Sequence, residues 1–161
     1  MIVLMLAFSG CAAQETFETV NDEYVESAMV SMQQVVLKLP EDAAVPVLEN
    51  ETAGKLYLCD GYTLSVQTME AGDLDKTFQE VTGFHREGLS VLKTEINGIE
   101  CHSCAWAAAG EGGDQVARTM VLNDGNYHYA VTVMTDASKA GELAQVWQDI
   151  FSSVTLTHTD P

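Results

Sequence analysis

Cys101-His102-Ser103-Cys104 concentrates three side chains that can hold a metal or exchange electrons. As a C-x-x-C unit it could be a dithiol redox pair or half of a zinc site. The local pattern argues against both. A redox pair opens a helix, whose N-terminus lowers the thiol pKa, whereas residues 99–109 read as a strand. Residues i and i+3 of a strand point to opposite faces, so Cys101 and Cys104 diverge. Zinc would want a second pair of ligands, and only Cys59 remains once Cys11 is set aside. A thiol-redox or metal-binding role for Cys101, His102 and Cys104 stands as the alternative reading. The preferred one makes Cys101 a small buried apolar residue.

No other group of residues converges on chemistry. His85, His128 and His158 are scattered, and no Ser/His/Asp arrangement can be argued. Gly110, Gly112 and Gly113 precede no Lys-Ser/Thr pair, so they do not make a phosphate loop. Asp73-Leu74-Asp75 lacks the later glycine and closing glutamate of a calcium loop. The expectation is therefore no catalytic residue, no cofactor and no metal.

Cys11 carries a different chemistry. It follows the apolar run Met1-Ile2-Val3-Leu4-Met5-Leu6-Ala7-Phe8 and the small pair Ser9-Gly10, and precedes Ala12-Ala13-Gln14-Glu15. A bacterial lipoprotein signal ends this way: cleavage precedes the cysteine, and its thiol takes a diacylglycerol. Such a leader opens with a basic n-region, yet no Lys or Arg precedes Lys38. The reading therefore places the true start upstream of Met1. The run is far shorter than the ~18 residues of a spanning helix. The expected location is the extracytoplasmic face of a membrane, held by acylated Cys11.

The chain has 161 residues, with 7 Lys+Arg against 24 Asp+Glu and a formal net charge of −17. That balance argues against nucleic acid and against basic adhesion to anionic lipid. The acids are scattered, which fits solubility better than a cation site. The remaining thiols, Cys59, Cys101 and Cys104, are odd in number, so no disulfide framework follows.

The elements that must position these residues read mostly as strands. Residues 12–22 are polar and aperiodic, as in a tether, and 41–53 read as a loop. Strands at 55–59 and 62–69 flank Asp60-Gly61, and strands at 89–96 and 99–109 flank Asn97-Gly98. The second turn sets Ile96 against Ile99, Thr94 against Cys101, Lys93 against His102 and Glu95 against Glu100. Opposed glutamates require either solvation, the preferred answer, or a cation. Asp124-Gly125 turns a strand at 115–122 into one at 127–135 and would set His128 against Val121.

Asp73 caps a helix whose apolar stripe is Leu74, Phe78 and Val81, and Gly83 ends it. A second helix over 137–154 carries Leu143, Trp147, Ile150, Phe151 and Val154 on one face, which makes Trp147 a core residue. Tight hairpins impose antiparallel pairing, and both apolar stripes must bury on the sheet. The fold class is α+β, an antiparallel sheet of about six or seven strands covered by two helices.

This order of elements resembles the PsbP-like family. The resemblance is carried by Gly61-Tyr62-Thr63-Leu64-Ser65-Val66 before the Asp73 helix, by residues 114–133, and by Trp147-Gln148-Asp149-Ile150-Phe151. The reading of Cys11 assigns residues 1–10 to the leader and 11–29 to the lipidated cysteine and tether; the resemblance implies an α/β/α sandwich for the domain at residues 30–161. It further implies a non-enzymatic binding or accessory protein. The expected partners are the membrane, through Cys11, and another envelope protein met at the loops 110–114 or 41–53.

Overall fold

The computed structural model describes residues 17–19, 32–43, 46, 48–50, 54–110 and 112–158. Its ten strands are β1 (Phe17–Thr19), β2 (Gln34–Lys38), β3 (Leu48–Asn50), β4 (Gly54–Cys59), β5 (Tyr62–Glu70), β6 (Leu92–Ile96), β7 (Ile99–Gly110), β8 (Gly113–Asn123), β9 (Tyr127–Asp136) and β10 (Thr155–Thr157). Helix α1 spans Leu74–Thr82 and α2 spans Ala144–Ser153.

Local chemistry sets these boundaries. Asp73 Oδ1 accepts from the Asp75 N–H at 3.0 Å, and Gly83, at φ 80°, donates its N–H to the Gln79 carbonyl. A side chain would resist that left-handed cap. Asn97 and Gly98 both have positive φ, the requirement of a type I′ hairpin turn, and Ile96 faces Ile99 as the sequence predicts. Asp75 also accepts from His85 Nδ1 and from the Arg86 N–H, tying the start of α1 to the segment that follows it.

Seven strands form one antiparallel sheet in the order β3-β4-β5-β9-β8-β7-β6, and three form a small sheet, β1-β2-β10. Strand alternation gives the large sheet two faces. One buries Tyr62, Leu64, Val66, Cys101, Leu122, Tyr129, Val131 and Val133 against Trp147 and Ile150 of α2, Val154 just past its end, and Val35 and Leu37 of β2. The other packs Phe78 of α1 against Cys104, Val121 and Ala130. The result is a layered α/β/α sandwich.

Three differences from the sequence-based expectations have local causes. The helix expected over 137–154 begins only at Ala144, after a 3-10 turn at Ala137–Lys139. Gly141 lies in the gap, where its backbone freedom opposes a helix. The stretches read as loop and tether contribute β3 and β1, while β10 extends the chain past α2. Each has three residues, too few for an alternation signal.

The third difference is the β8–β9 turn. His128 faces Asn123, not Val121, and Val121 faces Ala130. The turn widens to residues 124–127 because the Asp124 carboxylate organises it. Its Oδ1 accepts the N–H groups of Asn126 and Tyr127, and its Oδ2 accepts from Tyr129 Oη and Gln33 Nε2. The slip is two residues, so every side chain keeps its face.

Candidate functional site

Beneath α1 the large sheet gathers the polar side chains that the register brings together. Lys93 lies opposite His102, and Glu100 stands two residues before His102 on the same face. Glu100 Oε1 meets His102 Nε2 at 2.6 Å, and Oε2 pairs with Lys93 Nζ. The hydrogen bond from His102 and then the Lys93 ammonium hold the Glu100 carboxyl down at about 2. The glutamates at 95 and 100 do face each other. Their repulsion is answered by a cation, and the chain supplies it as Lys93, one diagonal step away.

His128 completes the group. It is 1% exposed, and its Nδ1 lies 2.7 Å from Thr77 Oγ1 of α1. Burial pushes its pKa below the ordinary histidine value, and neighbouring His102 pushes the same way. His128 is therefore neutral at neutral pH. Sequence reasoning missed this contact because it depends on where α1 docks, which no local pattern encodes.

A carboxylate bonded to an imidazole is the arrangement that orients a general base. Here it lacks access. His102 is 2% exposed, and its Nδ1, the nitrogen left for proton transfer, is buried without a hydrogen-bond partner. Neither ring bonds a serine or cysteine side chain among the described residues. The Thr77–His128 contact ties α1 to β9, while Lys93, Glu100 and His102 brace the β6–β7 hairpin from within.

The cysteines separate as the strand geometry requires. Cys101 lies in the core under α2, Cys104 in the core under α1. The C-x-x-C pair is thus split by the sheet, and Cys59, Cys101 and Cys104 are all free thiols. Among the described residues no group of three or more His, Cys, Asp or Glu could hold a metal ion. Burial raises the Cys101 thiol and pushes Cys104 up to about 11 from 9.0, which leaves about a hundredfold less Cys104 thiolate at mildly alkaline pH. Of these three thiols, an aromatic disulfide reagent should accordingly label Cys59 first in the native protein, with Cys101 and Cys104 reacting fast only in urea. Rapid native labelling of Cys104 would contradict this burial.

Cys11 lies outside the described residues. Among them, no helix is long and apolar enough to cross a membrane.

No family model matches the sequence, and no curated protein sequence matches it. Solved structures do. Cyanobacterial PsbP (CyanoP) from Synechocystis sp. PCC 6803 is 10% identical with a TM-score of 0.58, over 94% of this chain and 99% of that one. LpqN of Mycobacterium tuberculosis is 11% identical with a TM-score of 0.55, over 90% and 92% of the two chains. The domain has a PsbP-like fold. A third structure, from Bacteroides thetaiotaomicron, is 10% identical with a TM-score of 0.54 over 77% of this chain, which spans only 45% of that protein. At such identities the likeness extends to the fold alone, and the PsbP-like α+β sandwich is what the element order implies.

Proposed function

We propose that this PsbP-like domain is a lipid-anchored, extracytoplasmic binding or accessory protein without catalytic activity. The observation that carries the reading is how its reactive-looking groups are spent. Lys93, Glu100 and His102 close on one another, His128 closes on Thr77, and the thiols divide between two cores. Groups committed in this way brace the β6–β7 hairpin and the docking of α1 rather than a substrate. The anchor rests on the apolar run ending at Ser9-Gly10-Cys11. Envelope work is supported by analogy, since LpqN is described as involved in cell envelope biogenesis.

The test is fractionation of the native protein beside a Cys11→Ala variant in a bacterial host. The native form should pellet with membranes, and mass spectrometry should find diacylglycerol on an N-terminal Cys11. The variant should move to the soluble fraction. Identical partitioning of both forms, with the preceding peptide intact, would falsify the anchor.

A further inference from the structure

Strand β6 pairs with β7 only from Ile99 to Ser103, so among the described residues nothing pairs with the outer side of β7 from Cys104 onward. Along this step, between β7 and α2, run two hollows of about 350 and 470 Å³. They share Ala105 and Arg118, so they form one groove with a cation at its middle. Phe151 lines the first, and Ala140, Ala144 and Trp147 line the second.

Two features of this groove are unpaired. Arg118 is exposed and has no acidic partner among the described residues, in a chain with 24 acids to 7 basic residues. Among the described residues it is also the only charged one lining either hollow. Trp147 is 4% exposed, and its Nε1–H is buried without an acceptor. A buried indole N–H ordinarily finds one. The groove therefore offers an unused positive charge at Arg118 and walls built largely of small and aromatic residues. Its dimensions are those of small-ligand sites, about 300–1,000 Å³, in which a few polar groups orient an apolar body.

We propose that this groove binds a small amphiphilic carboxylate. The carboxylate sits on the Arg118 guanidinium, whose planar fork matches it in two hydrogen bonds. The hydrocarbon part lies along Ala105, Ala140, Ala144 and Trp147, where the alanines leave the width that larger residues would fill. Charge complementarity selects the anion. The proposal rests on reading the domain as a binding module and is independent of the Cys11 anchor.

Titration calorimetry with decanoate tests it on the full chain carrying Cys11→Ala, so that no acyl group of its own competes. Decanoate should bind saturably at one site, and decanol should bind about tenfold more weakly or not at all. Arg118→Gln, a change at an exposed position, should remove that preference, leaving the two ligands equal. Ala144→Leu should abolish binding of both while the far-ultraviolet spectrum stays unchanged. Absence of saturable decanoate binding overturns the proposal, as does a decanoate affinity that Arg118→Gln leaves intact. If sedimentation instead shows a dimer that Arg118→Gln dissociates, a second copy occupies the groove and the carboxylate site is refuted. None of these results bears on fractionation of the anchored form, so the two readings fail separately.

Discussion

Asp124→Ala should destabilise the domain by about 2–4 kcal/mol, read as a lower urea midpoint, because one carboxylate serves four donors. Truncation strips the turn of its organiser and leaves the buried Tyr129 hydroxyl without this acceptor, while Gln33 loses the bond from its Nε2 to Asp124. Asp124→Asn retains one oxygen and should lose about half as much. The cost also depends on acidity in a defined direction. Burial pushes the Asp124 carboxyl up, but the bonds from Tyr129, Tyr127, Asn126 and Gln33 outweigh it and hold the pKa below 3.8. A carboxyl depressed in the folded state adds stability above its unfolded value and loses it as the pH falls through the folded one. The gap between native protein and Asp124→Asn should thus be constant near neutrality and shrink below about pH 4. A gap that widens on acidification would show that the carboxylate is strained there rather than satisfied.

Phe78→Ala should cost about 3–5 kcal/mol, since the ring is fully buried and anchors a small cluster. Its buried partners, Cys104, Val121 and Ala130, are each smaller than the ring, and the larger Met69, Leu74, Leu89 and Trp106 pack on the cluster only part-buried. The loss should fall unevenly across the molecule. Hydrogen exchange should accelerate first in α1 and at the Thr77–His128 contact, while β8 and β9 keep their protection. Phe78→Leu conserves most of the volume and should recover all but about 1.5 kcal/mol. A change below about 1 kcal/mol on Phe78→Ala would mean that α1 adds little to the sheet.

The sequence reveals the parts of this fold that are coded locally. Glycines with positive φ at 61, 83 and 98 mark two turns and a helix end, and each lies where its neighbours predict. The stripe of Phe78 and the alternation of Tyr129, Val131 and Val133 then assign layers without any long-range information. What escapes is coded by partners. Strands β1, β3 and β10 exist because a neighbouring edge offers hydrogen bonds, not because three residues have a period. The four-residue turn at Asp124 depends on Tyr129 and Gln33, the latter 91 positions away. Of the candidate site, the facing of Lys93 and His102 is readable from Asn97-Gly98, whereas Thr77 meeting His128 is not.

If Cys11 is acylated, the position of strand β1 limits how far the domain can stray from a bilayer. Phe17, its first residue, follows Cys11 by six positions (17 minus 11), and a stretched chain covers at most about 20 Å in that distance. If Cys11 carries the lipid, this is a short leash: the small sheet rides at headgroup height, and whatever the domain engages must itself stand close to the membrane surface.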